Sequence, residues 1–254
     1  MVISIITATF NSGATLRSTL ESVLAQTCQD FEYIIVDGNS QDNTMDIVRE
    51  YEPRFAGRMK WLSEPDNGIY DAMNKGIRMA SGDIVGLLNS DDFYTSAHVL
   101  QQIVDAFSET DAVYGDVHYI DGARPEKCIR YYSSKGFKRW MMRLGFMPAH
   151  PSFYCRRAIY TKFGLFDTDF RIAADFEQLF RLIYVNRIRT KYIPMDFVTM
   201  RTGGASSSGM QSHKQILRDH MLAYRKNGYR GNYLLEGLRY LYKIGEVLLS
   251  KIRH

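Results

Sequence analysis

The first 110 residues alternate between short apolar runs and longer segments in which apolar residues recur every three to four positions. Four runs have the length and the Val, Ile and Phe content of buried strands. They cover residues 2–6, 31–36, 59–63 and 84–88. The segments between them predict helices at about 13–26, 43–51 and 69–80. Because strands alternate with helices, the pattern predicts an α/β fold with a Rossmann-like sheet flanked by helices.

The next 90 or so residues are less regular. A strand is predicted at 112–119, and the turn signal at 121–122 suggests that 127–132 returns as a hairpin. A helix is predicted from about 173 to 184, and residues 191–200 read as an extended segment or a strand pair. This half therefore predicts further strands with one main helix.

The C-terminal segment reads as two helices, at about 210–226 and 233–251. The second has one leucine-rich stripe, which includes Leu234 and Leu248, and one basic stripe, which includes Arg239 and Lys243. A basic amphipathic helix suits an anionic membrane surface. Packing on the rest of the chain, or pairing with a second copy as a homodimer, explains the same stripes.

Charge is unevenly placed along the chain. From residue 201 to the end, ten Lys or Arg stand against three Asp or Glu, a balance of +7. Because the whole chain carries +4, residues 1–200 carry −3. A mildly acidic body with a basic tail predicts an anionic surface or ligand near the tail, and we expect no nucleic-acid partner.

The composition, 45% hydrophobic and 24% charged, is that of an ordinary globular chain. Cys28, Cys128 and Cys155 are odd in number and lack CxxC spacing. This usage favours a reducing compartment and argues against a disulfide framework or a zinc site. We see no signal peptide and no apolar run long enough to span a membrane. We therefore expect a cytoplasmic protein, at most in contact with the inner face of a membrane.

The candidate chemistry begins where the fourth apolar run ends in Asn89-Ser90-Asp91-Asp92. Adjacent carboxylates at the end of a buried strand repel each other and resist desolvation. A divalent cation would relieve both costs, and hard oxygen ligands favour Mg²⁺ or Mn²⁺, which also bind substrate phosphates. The site is well placed, because ligands of open α/β sheets bind beyond the carboxyl ends of the strands. The alternative is that the two acids cap a helix beginning near Thr95.

Polar side chains also follow the other runs. Thr7, Thr9 and Asn11 follow the first run and Asp37 follows the second, while Lys75 lies on the helix after the third. Such groups at a strand end can bind a base or ribose, and a lysine can meet a phosphate, although a turn and a solvated lysine are the alternatives. A series of polar strand ends at one edge of a sheet predicts a binding face. The absence of GxGxxG after the first run argues against a dinucleotide-binding protein.

Taken together, these segments resemble the family 2 glycosyltransferases of the GT-A fold, in particular the bacterial colanic-acid and capsular polysaccharide type. The resemblance covers residues 1 to about 110. It rests on SIITATFN at 4–11, IIVDGNSQD at 34–42, GIYDAMNKG at 68–76, ASGD at 80–83 and LNSDD at 88–92. It implies a mixed sheet within a catalytic domain at 1–208, made of a nucleotide-binding half (1–110) and an acceptor half (111–208). A helical extension would follow at 209–254.

The resemblance also implies roles for the candidate residues. Those expected to hold the nucleotide are Thr7, Thr9, Asn11, Asp37, Lys75, Asn89 and Ser90. Asn89-Ser90-Asp91 corresponds to the metal-binding DxD motif, with an amide in place of the first acid. The Mn²⁺ or Mg²⁺ is therefore expected mainly on Asp91, with Asp92 as a further ligand.

A catalytic base is implied in the second half. Asp175 matches the Asp of the family's Glu-Asp motif, which is the base, while Ala174 replaces the Glu. The alternatives are that Asp175 is only an acid favoured by a helix N-terminus, or that Glu177 is the base. We assign His150 and Arg201 to the acceptor or sugar. His150 could instead be bonded to backbone, and Arg201 could reach the metal or pyrophosphate from the edge of a Gly- and Ser-rich loop.

The sequence thus predicts an inverting transferase that moves a sugar from a nucleotide donor, expected to be UDP-linked, to a glycan or lipid-linked acceptor in surface-polysaccharide synthesis. A sugar-nucleotide pyrophosphorylase is one alternative, but it would carry a Gly-rich, Arg-containing loop after the first strand. A non-catalytic nucleotide-sugar-binding protein is the other. The amide at Asn89 and the alanine at Ala174 keep it open.

Overall fold

The computed structural model of the chain describes residues 1–122, 124–202 and 210–237. The strands of this part are β1 (Ile3–Thr9), β2 (Phe31–Asp37), β3 (Met59–Ser63), β4 (Ile84–Leu87), β5 (Phe93–Tyr94), β6 (Ala112–Asp121), β7 (Arg124–Tyr132), β8 (Tyr154–Arg156) and β9 (Thr190–Arg201). The α-helices are α1 (Leu16–Leu24), α2 (Thr44–Tyr51), α3 (Ile69–Met79), α4 (Val99–Ala106), α5 (Arg157–Phe163), α6 (Ala174–Leu179) and α7 (Met210–Lys226). Short 3₁₀ turns lie at Glu52–Phe55, Arg139–Leu144 and His150–Ser152, and α6 continues as a π-helix over Phe180–Val185.

The strands form one mixed sheet in the order β3-β2-β1-β4-β8-β6-β9-β5, with β7 paired to β6. Strands β3, β2, β1 and β4 run parallel, as do β6 and β9. Strand β8 lies antiparallel between β4 and β6, and so joins the two predicted halves in one sheet. The α/β fold and the mixed sheet predicted from the sequence are confirmed.

Apolar residues pack on both faces of the sheet. One core lies under α1, α2 and α4 and includes Ile5, Leu20 and Ile103. The other lies under α3, α6 and α7 and includes Ile6, Phe176 and Tyr224. Neighbouring residues of β1, such as Ile5 and Ile6, enter opposite cores, which explains why the run is apolar throughout. With both faces covered, a ligand has access at the ends of the strands.

A glycine allows β4 and β8 to pack closely. A Cβ at Gly86 would lie 1.9 Å from a ring carbon of Tyr154, which is fully buried. The Tyr154 hydroxyl lies 2.6 Å from that of Tyr94 on β5. This contact links β8 to β5. The acidic segment (residues 89–92) lies between β4, which pairs with β8, and β5, so both strands that flank the segment are fixed to the core.

Several boundaries differ from the sequence prediction. Helix α4 begins at Val99, and strand β5 lies between it and the acidic residues, so the predicted alternative that these acids cap a helix near Thr95 is wrong. Strands β5 and β8 and helix α5 were not predicted, and the segment predicted at 191–200 is the single strand β9. Strands of two or three residues are too short to show the alternation of apolar and polar residues by which a strand is recognised in a sequence.

The second predicted tail helix is described only at residues 233–237, which are helical, and the rest of that prediction lies outside the described residues. In the part of the chain that is described, we find no helix with the length and apolar content needed to cross a bilayer.

Candidate active site

The acidic segment after β4 is held by α1. The Thr19 hydroxyl donates to the carbonyl oxygens of Ser90 and Asp92, at 3.1 and 2.7 Å. The hydroxyls of Ser90 and Ser12 lie 2.8 Å apart. Asn89 donates from Nδ2 to the Asp92 carboxylate at 2.9 Å. Asn89 and Ser90 therefore shape the segment through contacts within the protein.

The two carboxylates of this segment face different surroundings. Asp92 is 1% exposed, whereas Asp91 is partly exposed. Burial and then the charge of Asp91 raise the pKa of Asp92 to about 8. Burial also raises the pKa of Asp91. A cation would favour the ionised form of these two adjacent carboxylates. Asp91 is the more exposed of the two, so it is the one that a cation could reach.

Arg201 lies beside this acidic pair, at the end of β9. Its guanidinium donates to the Asp91 carbonyl oxygen and, at 2.9 Å, to the Ser18 hydroxyl. It also lies 4.9 Å from the centre of the Phe93 ring. Its charge lowers the pKa of Asp91 and, together with its backbone N–H, the pKa of Asp92. Arg201 thus places a positive charge next to the acidic pair. The neighbouring glycine-rich loop at 203–209 lies outside the described residues.

The carboxyl ends of β1 and β2 meet at the same edge, because Thr9 pairs with Asp37 in the parallel register. The Thr9 hydroxyl is buried and, within the described residues, has no hydrogen-bond partner. Asn11 is exposed in a left-handed conformation (φ 50°), and its side chain accepts from the Gln41 N–H at 2.8 Å. A ligand with hydroxyl or amide groups would complete these bonds.

Thr7 and Asp37, which are both predicted to contact the nucleotide, are fully buried. The Thr7 hydroxyl is fully buried and bonds to the Leu88 carbonyl oxygen and the Tyr33 hydroxyl. Asp37 is also fully buried and accepts from the Ser40 N–H and hydroxyl and from Ser63. The polar atoms of both residues thus bond within the protein, and their nucleotide contacts stay predictions. Asp37 holds the Ser40 loop through its hydrogen bonds.

Lys75 is also engaged by the protein. Its ammonium lies 2.8 Å from the Pro65 carbonyl oxygen and 2.8 Å from the Glu64 carboxylate. The hydrogen bond to Glu64 raises the pKa of Lys75. A phosphate would have to compete with this carboxylate.

Phe10 was not singled out from the sequence. It is 61% exposed, and a Cβ at Gly38 would lie 3.4 Å from its Cδ2. The ring therefore covers the end of β2, next to the Ser40 loop. An exposed aromatic ring at such a rim offers a flat face to a nucleotide base. The only signal in the sequence is an aromatic residue between two polar ones at the end of a buried strand.

Asp175 lies in the first turn of α6 and is partly exposed. Its Oδ1 accepts from the Phe176 N–H at 2.8 Å. Burial raises its pKa to about 6. A carboxylate with a pKa near neutrality has the property that a general base needs. Glu177, the alternative base, is 3% exposed and pairs with Arg181 at 2.9 Å, so it faces away from solvent.

The acids of the two halves converge on Tyr119, a half-buried residue of β6. Burial is the main cause of its raised pKa, Arg130 opposes it, and the charges of Asp92 and Asp175 both add to it. Because the interaction between charges weakens with distance, the carboxylates of Asp92 and Asp175 both lie near Tyr119.

Helix α7 supports Asp175 from behind. Asp219 accepts the backbone N–H groups of Ile172 and Ala173 at 2.9 and 3.0 Å, which are at the N-terminus of α6. The ring of His220 stacks on Phe176 at 3.7 Å. Neither residue was predicted, and the signal for Asp219 was one acid in a basic helix.

His150 is more deeply placed than the prediction of a sugar contact implies. It is 9% exposed, and its ring packs edge-on against Phe166 at 5.6 Å. Burial lowers its pKa to about 4, so the imidazole is neutral at physiological pH. His150 can therefore offer a neutral hydrogen-bonding group to a substrate, but no charge.

Comparison with known proteins decides the family. The family model described as "Glycosyl transferase family 2" matches residues 4–168. The chain belongs to glycosyl transferase family 2. This family 2 glycosyltransferase is 31% identical over 193 residues to a "PGL/p-HBAD biosynthesis glycosyltransferase" of Mycobacterium bovis, covering 75% of this chain and 73% of that one. It is 34% identical over 189 residues to an uncharacterized glycosyltransferase of Mycobacterium tuberculosis, covering 72% and 69%.

Solved structures confirm the GT-A fold of this family 2 glycosyltransferase. TarS 1–349 of S. aureus in complex with UDP-GlcNAc superposes with a TM-score of 0.68 at 19% identity, covering 88% of this chain and 66% of that one. The mannosyltransferase PcManGT of Pyrobaculum calidifontis, with GDP-Man and Mn²⁺, gives 0.69 at 18% identity, covering 90% and 65%. The chain spans only 39% of a longer TarS chain. At these identities the likeness concerns the fold.

The carboxylate oxygens of the acidic segment suit a cation that is held partly by the protein and partly by the substrate. In the described ranges, no group of three or more His, Cys, Asp or Glu could enclose a metal. Mg²⁺ and Mn²⁺ commonly use one or two carboxylates and take their other ligands from water and phosphates. Asp91, with Asp92 behind it, offers carboxylate oxygens of this kind.

Proposed function

We propose that this glycosyltransferase inverts the anomeric centre of a UDP-linked sugar and transfers it to a hydroxyl of a glycan or lipid-linked acceptor. The TarS complex with UDP-GlcNAc supports a UDP-linked donor, and the mycobacterial relative named for PGL/p-HBAD biosynthesis supports a surface-glycan or glycolipid product. The family favours a transferase over the pyrophosphorylase and over the non-catalytic binding protein.

One observation supports the mechanism most directly. Asp92, at the phosphate side, and Asp175, at the acceptor side, both act on Tyr119. A base and a diphosphate site on two sides of one cleft suit an in-line displacement, because the nucleophile must approach opposite to the leaving group.

In the proposed reaction, Asp175 removes the proton of the acceptor hydroxyl. The acceptor oxygen forms a bond to the anomeric carbon while the bond from that carbon to the diphosphate oxygen breaks. The leaving diphosphate takes the electron pair, and the proton ends on Asp175. Because attack is from the opposite face, the anomeric configuration inverts.

At the leaving-group side, Asp91 would hold a Mn²⁺ or Mg²⁺, with Asp92 supporting it. Such an ion, when bound, neutralises the charge that develops on the diphosphate. Arg201 supplies a further positive charge there, since its guanidinium is anchored beside Asp91. We therefore propose a phosphate contact for Arg201 instead of the sugar contact predicted from the sequence.

At the nucleotide side, Thr9 and Asn11 would contact the nucleoside, and Phe10 would stack on its base. The nucleotide contacts of Thr7 and Asp37 stay predictions. Asp37 would also fix the Ser40 loop, whose hydroxyl accepts from the Asn11 N–H at 2.8 Å. The phosphate contact of Lys75 and a sugar contact of His150 stay predictions.

A donor screen tests the proposed function. The full chain would be incubated with several UDP-sugars and with GDP-mannose, each with Mn²⁺ or with EDTA, and the released nucleotide measured. We expect UDP release from at least one UDP-sugar only when Mn²⁺ is present, because water can replace the acceptor slowly. Binding without any turnover, with acceptors included, would favour the non-catalytic alternative.

Replacing Phe10 tests the base contact. We expect Phe10→Ala to raise the Kd for UDP about tenfold, since base–aromatic stacking contributes about 1–3 kcal/mol. Phe10→Tyr should keep the wild-type Kd because it retains the ring. Ile69→Ala removes another exposed apolar side chain, 47% exposed, and serves as the control in the same calorimetric titration. Equal Kd values for wild type and Phe10→Ala would exclude the stacking role.

We place the reaction in the cytoplasm, at the inner face of the membrane when the acceptor is lipid-linked. The three cysteines, all free in the structure, are consistent with a reducing compartment. Homodimer formation stays a prediction.

A further inference from the structure

A buried histidine–glutamate pair lies behind Asp175. His220 is 2% exposed and Glu236 is fully buried. The His220 Nδ1 lies 3.0 and 3.1 Å from the two carboxylate oxygens of Glu236. The Tyr224 hydroxyl lies 2.6 Å from Glu236 Oε1 and 2.7 Å from the Met142 carbonyl oxygen. A buried carboxylate so placed favours the protonated, cationic form of the imidazole.

The imidazole is held against the first turn of α6. Its ring stacks on Phe176 with 3.7 Å between centroids and 10° between planes. Phe176 directly follows Asp175, and its backbone N–H bonds to the Asp175 carboxylate. A shift of His220 would therefore shift the turn that carries Asp175.

The titratable groups that face Asp175 come from three elements. They are His220 and Asp219 on α7, Tyr70 on α3 and Tyr119 on β6. Burial raises the pKa of Asp175 to about 6; the Phe176 N–H and the charge of His220 lower it, and the charge of Asp219 raises it. The two neighbours on α7 thus act in opposite directions.

We propose that His220, held by Glu236, is a positioning residue that keeps Asp175 ionised and correctly oriented. This inference rests on the proposed role of Asp175 as the base. Position 174, where the family motif has a Glu, is a fully buried alanine here, so the two charged neighbours of the base, His220 and Asp219, both come from helix α7.

The pH dependence of donor hydrolysis tests this inference. The acidic limb of kcat/KM reports the ionisation of the base in the free enzyme. We expect His220→Gln and Glu236→Gln to move this limb to higher pH by about one unit, because a neighbouring positive charge is lost or weakened. Asp219→Asn should move it to lower pH, because it removes a negative charge and keeps an oxygen that can accept the two N–H groups. The KM for the donor should not change.

Tyr224→Phe is the matched control. It removes a hydrogen bond from the same buried cluster but changes no charge, so it should lower Tm and leave the acidic limb in place. If the histidine and glutamate variants lower Tm and kcat without moving the limb, the pair is only structural and the inference is wrong.

A titration of the Asp175 carboxyl carbon by ¹³C NMR separates this inference from the proposed function. Opposite shifts in His220→Gln and Asp219→Asn would support the inference even if no donor were hydrolysed. Identical titration curves in all variants would overturn it even if the wild type were an active transferase.

A second, independent observation concerns the outer side of α7. Two adjacent grooves of about 530 and 520 Å³ share Tyr229 as a wall. We name them together the α7 surface. Its cationic residues are Lys138, Arg139, Arg187, Arg218, Arg225 and Arg230. All six are exposed, and none forms an ion pair with another described residue.

Large apolar side chains stand at the same surface. Trp140 and Tyr233 are each 61% exposed, and Leu234, next in the chain, is 82% exposed. Trp and Tyr side chains are enriched where a membrane meets water, and clustered Lys and Arg attract anionic headgroups. A nucleic-acid groove would not require the exposed leucine.

We further infer that the α7 surface docks on an anionic lipid bilayer. The opposite side of α7 carries Asp219 and His220 and supports Asp175, so one helix would link the membrane contact to the base. Such docking would bring a lipid-linked acceptor to the cleft, which is the part of this inference that rests on the proposed function.

Vesicle sedimentation of the full chain tests the docking. We expect binding to phosphatidylcholine vesicles only when phosphatidylglycerol is included, and weaker binding as NaCl is raised. Arg218→Glu/Arg225→Glu should weaken binding about tenfold or more without changing donor hydrolysis. The control, Arg78→Glu/Lys191→Glu, makes the same charge change at two exposed residues elsewhere and should bind as wild type does. Equal binding by both double variants, or none by the wild type, would overturn this inference whatever the donor screen shows.

Discussion

We expect Asp175→Asn to lower the rate of sugar transfer, and of donor hydrolysis, by about 10²–10⁴-fold. The carboxamide has nearly the shape of the carboxylate and can still accept the Phe176 N–H, but it cannot take a proton from the acceptor. The Kd for UDP in the presence of Mn²⁺ should stay at the wild-type value, because Asp175 is proposed to act on the acceptor hydroxyl and not on the nucleotide. Single-turnover rates of UDP release and calorimetric titration with UDP measure the two effects.

The stability of Asp175→Asn serves as the folding control for this experiment. The pKa of Asp175 is raised to about 6 in the folded chain from an ordinary value of 3.8, so ionisation disfavours folding as pH rises through this window. Above pH 6 the asparagine variant avoids this cost, and we expect it to be at least as stable as wild type, by up to about 3 kcal/mol. A stable variant with wild-type turnover would rule out the assigned base and leave Glu177 to be tested.

We expect Asp91→Asn to abolish most of the metal dependence of donor binding. A metal ligand that stabilises the diphosphate contributes several kcal/mol, and each 1.4 kcal/mol is a tenfold change in affinity. The Kd for the UDP-sugar in Mn²⁺ should therefore rise roughly 100-fold. In EDTA, wild type and variant should bind alike, because the contacts of Thr9, Asn11 and Phe10 do not involve the ion.

Asp105→Asn is the control for this experiment. It removes an exposed carboxylate on α4, outside the acidic segment, and should leave binding unchanged in Mn²⁺ and in EDTA. If Asp91→Asn and Asp105→Asn bound the UDP-sugar equally well in Mn²⁺, the ion would have to be held elsewhere, and the assignment of Asp91 would be withdrawn.

Three of the first four strands could be predicted within one residue of their ends, and the first within three. Their apolar runs are long, β-branched and bounded by polar residues, and both faces of the resulting sheet are buried. Helix α7 was also predicted at its observed bounds, Met210–Lys226. By contrast, β8 has three residues, and its place between β4 and β6 depends on Tyr154 packing against Gly86. No local pattern encodes such a contact.

The candidate site could be proposed from the sequence in part, and its roles stay predictions. The acidic segment and Asp175 were singled out because each has an acid at a strand end or helix start within a recognisable motif. The contacts of Thr7 and Asp37 were not predictable, because a polar residue after a strand looks the same whether it faces the cleft or bonds to Tyr33 or Ser40. Only burial distinguishes these cases.

The sequence by itself determined the α/β class, the family, and the residue types that the chemistry needs, because apolar periodicity and short motifs are local properties. Only the tertiary structure decided which acids lie near one another. Residues 83 positions apart, Asp92 and Asp175, act on the same tyrosine since β8 brings the two halves into one sheet. It also decided that α7 supplies Asp219 and His220 behind Asp175. That arrangement follows from the packing of two helices, which is set by side-chain fit and not by order along the chain.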